Sequence, residues 1–322
     1  MFDVTALGEI LIDFTPAGLS NQGNICFERN PGGAPANVLA SISKLGGTTA
    51  FIGKVGNDMF GHYLCDVLKS HNIDASGVKF SERVRTTLAF VQLADNGDRS
   101  FSFYRNPGAD TMLEPSEVDY EIIKNSKVFH FGSLSLTEEP SKTATLEALK
   151  FAKANGCTIS YDPNLRPRLW ESLEHARREI ISVLEFADIL KVSEEELEFI
   201  TGEKDLEKGT KVFSEKYGIG LILVTLGPEG CFYRLGEATG AKPTFSEIKP
   251  VDTTGAGDSF LGGLLFSMLS RGILKPAQLE VPVLDEMLTF SNAVASLCTA
   301  KKGAIPAMPD LEQVKALINS RS

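Results

Sequence analysis

Short apolar runs alternate with amphipathic stretches along most of this 322-residue chain. The runs are rich in β-branched residues: "DVTAL" at 3–7, "TAFIGKVG" at 49–56, "KVFHFG" at 127–132, "TISYDPN" at 158–164, "DILKV" at 188–192 and "LILVTLG" at 221–227. Between them lie stretches with helical spacing, such as "APANVLASISKLG" at 34–46, "DMFGHYLCDVLKSHN" at 58–72, "SKTATLEALKFAKANG" at 141–156 and "HARREIISVLEF" at 175–186. Runs that are apolar on both alternating faces must be covered on both faces. The rhythm therefore predicts an α/β fold: a mostly parallel sheet with helices on both sides.

Two segments break the rhythm. "NICFERNPGG" at 24–33 and "TTLAFVQLADNGDRSFSFYRN" at 86–106 read as β structure with no helix between strands. The second carries Asp95-Asn96-Gly97-Asp98 between two alternating runs, a hairpin signal. A small β-sheet lid is expected from residues 13–34 and 85–110, on an α/β body made of residues 1–12, 35–84 and 111–322.

Charge limits the partners. A net charge of −10 argues against nucleic acid and anionic membranes, which call for basic surface. Any anionic substrate must then meet a local positive site. The five cysteines, Cys26, Cys65, Cys157, Cys231 and Cys298, show no metal-ligand spacing and read as free thiols of a reducing compartment. The opening "MFDVTALGEILIDF" has no basic region of the kind that leads a signal peptide, and no uncharged apolar stretch of about 18 residues occurs. A cytoplasmic location is expected.

The chemistry-bearing stretch is "VDTTGAGDSFLGG" at 251–263. Gly255, Ala256 and Gly257 bring bare backbone to what reads as a strand-to-helix junction, and Asp258 follows at once. Amide donors at a helix N-terminus hold anions and stabilise the charge of a migrating phosphoryl group. An acid beside them can take the proton of an attacking hydroxyl. A plainer reading fits equally well, because Asp in a first helical turn also answers the helix dipole. No G-x-x-x-x-G-K-[ST] occurs, and no G-x-G-x-x-G follows the first strand, so two familiar nucleotide motifs are absent.

A second stretch, "PGGAPANVLASISKLGG" at 31–47, has a glycine pair, an Asn four residues after the second Gly, and then Leu-Gly. With these two stretches, in this order and more than 200 residues apart, the chain resembles the ribokinase-like (PfkB-type) family of sugar kinases. Within it the likeness is to fructokinases, through "FIGKVGNDMFG", "FYRNPGAD", "YDPNLR" and "KVSEEELEFITG". The resemblance implies a central α/β domain with a β lid over the sugar, ATP and Mg²⁺ as co-substrate and cofactor, and K⁺ as an activating ion. It implies Asp258 as base and the Gly255–Gly257 amides as anion hole.

Other roles are carried over by position. Asp13, Gly33 and Asn37 would contact the sugar, as would Arg105 and Asn106 from the lid end. Asp162, Asn164 and Arg166 follow a strand, where open α/β sheets bind ligands. Glu196 would act on Mg²⁺ through water, with Ser193 standing where the family usually has Asn. Thr225, Gly227 and Gly230 match the nucleotide-binding turn, and Asn292 the adenine pocket. Asp252 and Thr254, with backbone near Cys298, Lys301 and Gly303, resemble the monovalent-cation loop, although Ala307 replaces a frequent Ser. Several have a structural alternative: a turn former for Asp13, a helix-start residue for Asn37, a solvated hairpin end for Arg105, a surface arginine for Arg166, a helix start for the three acids at 194–196, and a tight hairpin for the Thr225 turn. The reading is phosphorylation of D-fructose to fructose 6-phosphate. Its rivals are a 2-keto-3-deoxygluconate kinase, a ribokinase, a nucleoside kinase or a silent sugar-binding regulator. A homodimer is left open.

Overall fold

The computed structural model describes residues 1–93 and 99–321. The Asp95–Asp98 hairpin signal lies outside them. Strands are numbered in chain order and fall into two sheets. The large sheet holds β1 (Phe2–Leu7), β4 (Thr49–Gly56), β5 (Ile73–Ser81), β8 (Ser126–Phe131), β9 (Thr158–Tyr161), β10 (Ile189–Ser193), β11 (Leu221–Thr225), β12 (Cys231–Leu235) and β13 (Ala238–Lys242). The small sheet holds β2 (Leu11–Leu19), β3 (Ile25–Gly32), β6 (Leu88–Leu93) and β7 (Arg99–Tyr104), in the order β3-β2-β6-β7.

The large sheet has the order β13-β12-β11-β10-β9-β8-β1-β4-β5. From β5 across to β11 the strands run parallel, and β12 and β13 close the edge as an antiparallel hairpin. The chain first builds outward from β1 to β4 and β5, then returns to lay β8 on the other side of β1. Strand order reverses there, and a crevice opens outside the strands' carboxyl ends.

The helices are α1 (Ala34–Leu45), α2 (Met59–Ser70), α3 (Tyr120–Lys124), α4 (Ser141–Ala154), α5 (Leu173–Ser182), α6 (Glu194–Thr201), α7 (Leu206–Tyr217), α8 (Ala256–Ser270), α9 (Val281–Thr299) and α10 (Leu311–Asn319). Two cores show that they cover both faces. Leu221 and Leu223 of β11 pack with Leu39 of α1, Leu264 of α8 and Leu288 of α9. Ile222 and Val224, the alternate residues, pack with Leu149 of α4, Ile180 of α5 and Phe213 of α7. Each fully buried Leu or Ile contributes about 1.5–3 kcal/mol, so both faces hold the sheet firmly.

Two glycines fit helix α8 closely against its neighbours. A methyl group added at Gly262 would lie 2.6 Å from Ser41 Cβ of α1, and one at Gly263 would lie 3.1 Å from Val294 of α9. Glycine thus lets three helices close on one another, which sets the N-terminus of α8 at the crevice. Among the described residues no helix is long and apolar enough to cross a membrane. The cysteines are free; Cys26 is half-buried and the other four are buried.

Candidate active site

A cavity of about 470 Å³ opens at the carboxyl ends of the parallel strands. The large sheet side contributes Gly33, Asn37, Asn164, Arg166 and the run from Val251 to Asp258; the small sheet contributes Asp13, Thr15, Glu28, Asn30, Val91 and Phe103. The cavity therefore lies between the two sheets.

Asp258 is only 6% exposed, in the first turn of α8. Asn37 Nδ2 donates to its Oδ2 at 2.8 Å, and Asn164 Nδ2 to its Oδ1 at 3.2 Å. Asn164 sits in the loop after β9 with φ 49°, a left-handed conformation Asn tolerates better than most residues. Arg166 Nη1 donates to Asn164 Oδ1 at 2.5 Å, so the arginine steadies the amide that steadies the acid. Burial and the Asp162 charge push the Asp258 carboxyl up to about 6, against the pull of Lys191, Asn37 and Arg166.

Gly255 caps α8 with φ 77°. The Ala256 amide is drawn into a turn, donating to the Thr253 carbonyl at 3.2 Å. The Gly257 amide stands at a position with no carbonyl partner inside the helix, beside the dipole's positive end. Across the cavity, burial pushes the Asp13 carboxyl up to about 6, with Arg166 opposing.

Three clusters surround this centre. In the first, Asp252 Oδ1 accepts from the Thr254 amide at 3.0 Å and hydroxyl at 2.7 Å, while Oδ2 accepts from the Gly303 amide at 3.0 Å. The Asp252 amide donates to the Thr299 carbonyl at 3.1 Å, and the Lys301 amide takes the Cys298 carbonyl at 3.3 Å. The two distant segments thus form one hydrogen-bonded loop next to the N-terminus of α8. Ala307 is buried beside it, with no hydroxyl to offer.

In the second, Ser193 caps α6 in a capping box: its Oγ accepts from the Glu196 amide at 3.2 Å, and Glu196 Oε2 accepts from the Ser193 amide at 2.9 Å. Glu196 Oε1 accepts from the Leu165 amide at 2.6 Å. Both residues line a second cavity of about 340 Å³, together with Asn164, Arg166 and Lys191. Among the described residues no three acid, His or Cys side chains form a metal cage. Glu196, 8% exposed, brings one carboxylate to the wall of this second cavity.

The third is the turn joining β11 to β12. Gly227 (φ 56°) and Gly230 (φ 105°) shape it, and Thr225 Oγ1 donates to the Val192 carbonyl at 3.4 Å. Asn292 of α9 donates to the Lys242 and Pro243 carbonyls, each at 3.2 Å. These four residues line neither cavity.

The sequence profile of the pfkB family of carbohydrate kinases matches residues 1–311. The chain belongs to that family. A curated relative, probable fructokinase-2 of Arabidopsis thaliana, is 47% identical over 309 residues, covering 95% of this chain and 92% of that protein. A fructokinase from Xylella fastidiosa solved with bound ATP superposes with a TM-score of 0.91 at 32% identity, over 100% of this chain and 99% of that one. A fructokinase double mutant from Vibrio cholerae O395, solved with fructose, ADP and potassium ion, gives 0.87 at 31% identity, over 98% of each chain. The protein is an ATP-dependent sugar kinase on the ribokinase-like fold.

The kinase departs from the sequence reading at its lid end. Arg105, expected to face the sugar, does not line the cavity. It is buried behind the wall, with Nε 2.7 Å from Asp110 Oδ2, Nη1 3.0 Å from Thr137 Oγ1 and Nη2 2.9 Å from the Leu134 carbonyl. A planar guanidinium with five donors is held by the one acid and two oxygens that match it. Asn106 is exposed and also off the cavity. Asp162 lies beneath it, 1% exposed, with Oδ2 2.7 Å from Lys191 Nζ.

Among the lining residues that escaped the sequence reading are Glu9 and Lys191. Glu9 accepts the Ala34 amide at the start of α1 at 2.9 Å, and burial pushes its carboxyl up to about 7. Lys191 lies inside the apolar run "DILKV". The signal was a lone charge in apolar surroundings, just past the end of β1 for Glu9 and within β10 for Lys191.

Proposed function

We propose that this sugar kinase transfers the γ-phosphoryl group of MgATP to the primary hydroxyl of D-fructose, giving D-fructose 6-phosphate and ADP. The observation that carries the reading is the buried Asp258 carboxylate, clamped by Asn37 and Asn164 in the first turn of α8, on the floor of a cavity walled by both sheets. The fructokinase names of the relatives and the fructose and ADP of the Vibrio cholerae structure support the choice of sugar and nucleotide.

In this reading Asp258 takes the hydroxyl proton, and the first-turn backbone of α8 receives the migrating group. Asp13, Gly33, Asn37 and Arg166 orient the sugar. The small sheet acts as the lid that keeps water from competing as acceptor. Glu196, with Ser193 fixing its helix start, would hold Mg²⁺ through water; the ion would bridge the phosphates and lower their charge. The Asp252 loop would hold K⁺ and so order the backbone leading into Gly255.

Among fructose, ribose, glucose, 2-keto-3-deoxygluconate, adenosine and fructose 6-phosphate, fructose is expected to give the highest kcat/KM. Discrimination by placed hydrogen bonds reaches on the order of 10⁴. A coupled ADP-release assay checks it, and a higher value for any other acceptor overturns the fructose assignment. Activity is also expected to rise when K⁺ replaces tetramethylammonium at constant ionic strength. Equal rates in the two buffers remove the potassium claim and leave the kinase.

A further inference from the structure

We propose that Lys191 is a catalytic residue of this kinase, its ammonium supplying the positive charge against which the phosphoryl group migrates. The inference rests on the reading of Asp258 and the first turn of α8 as the transfer centre.

The placement comes from strand alternation. Lys191 pairs in register with Leu223, whose side chain joins the core under α8. A lysine thus occupies an inward position that the neighbouring strand fills with leucine. Burying an ammonium there is costly unless something compensates it. Asp162 Oδ2, 2.7 Å away, takes one of its hydrogens. A lysine has three. Burial opposes the charge, but Asp162, Glu196 and Asp258 outweigh it and hold the ammonium above its ordinary range.

The direction of the ammonium is informative. A methyl group at Gly257 would lie 3.0 Å from Nζ, so the charge packs directly against the backbone of the anion cradle. Lys191 also lines both cavities, the one holding Asp258 and the one holding Glu196. It stands at their junction, where the terminal phosphate on one side would meet the acceptor hydroxyl on the other. In a protein of net charge −10 that position supplies the local positive site a nucleotide requires.

The step balances without further reagents. The hydroxyl proton passes to Asp258, and the freed oxygen bonds to the γ-phosphorus. The bond from that phosphorus to the β–γ bridging oxygen breaks, and its electron pair leaves with ADP. Negative charge on the migrating oxygens is met by a fixed cation in a site shielded from water, where such a charge is most effective. Asp162 touches no reacting atom in this account; it positions Lys191.

The competing explanation is a structural ion pair. Lys191→Met combined with Asp162→Asn removes both charges and separates the two. The double variant is expected to keep a melting temperature near that of the wild type and to lose about 10²–10³ in kcat, as when one donor to a developing oxyanion is removed. Fructose KM should change little. By calorimetry ADP should bind as to the wild type, while the added affinity of a non-hydrolysable ATP analogue over ADP disappears. Lys191→Gln, which keeps a hydrogen bond to Asp162 without the charge, is measured in parallel and should show the same losses, so the test stands if the double variant does not fold. A kcat within about threefold of wild type in either neutral variant overturns the proposal, a loss far below that expected for an oxyanion donor. The calorimetric arm involves no sugar. A wild-type enzyme that prefers another acceptor overturns the fructose reading and leaves this one intact.

Discussion

Asp258→Asn is expected to lower kcat by about 10² to 10⁴, the usual cost of a lost general base. The substitution keeps size and most hydrogen bonding. It does not touch the backbone of Gly255 to Gly257, so nucleotide affinity should hold. If the carboxylate only completed the helix start, Asn would cost under about 1 kcal/mol of stability and leave turnover intact. Acidity gives a second handle. The carboxyl is pushed up to about 6, and only its ionised form accepts a proton. Wild-type kcat/KM should therefore fall at least tenfold per pH unit below that value, since Asp13 across the cavity is also pushed up to about 6. The variant should lose the part of that fall set by Asp258 and keep the part set by Asp13. Steady-state kinetics, calorimetry and a melting curve check the set. A variant retaining more than about a tenth of wild-type kcat rejects the role, since a lost base costs more.

Gly255→Ala is expected to cost about 10² in kcat, because a shift of about 1 Å in a reacting geometry costs that much. Gly255 has φ 77°, where an L side chain costs about 1–2 kcal/mol. Its new methyl would also lie 2.7 Å from Ala304 Cβ and 3.2 Å from Ala304 Cα. Either the loop carrying Ala304 or the first turn of α8 must move, and α8 is wedged between α1 and α9. The melting temperature should fall by a few degrees, about 2–4 °C per kcal/mol in large domains. Adding Ala304→Gly removes the nearer contact and should restore part of the rate. A single variant as fast as wild type would show that the cradle does not depend on this close fit.

The fold was legible because its strands are apolar on both faces, and only a doubly covered sheet satisfies that. The small sheet was legible as a break in that rhythm. At the site, the two glycine-rich stretches are local in sequence and announce their backbone. What they do not announce is which side chains meet them. Ser193 could not be interpreted until its hydroxyl and Glu196 were seen bonding each other's backbone amides. Arg105 looked like a sugar contact because nothing in the sequence says that Asp110, Thr137 and the Leu134 carbonyl converge on it. Lys191 needed the register of β10 against β11 to be placed under α8.

The clamp on Asp258 has a consequence for how the enzyme is made. Its two amides come from Asn37, 221 residues before the acid, and Asn164, 94 residues before it. A ribosome delivers both amides well before the acid. On the reading of Asp258 as base, a chain stalled or cut before Gly255 lacks its proton acceptor and is silent rather than leaky. On that reading the transfer centre is complete only when α8 slots between α1 and α9, helices from opposite ends of the polypeptide. Unfinished copies would then not drain ATP.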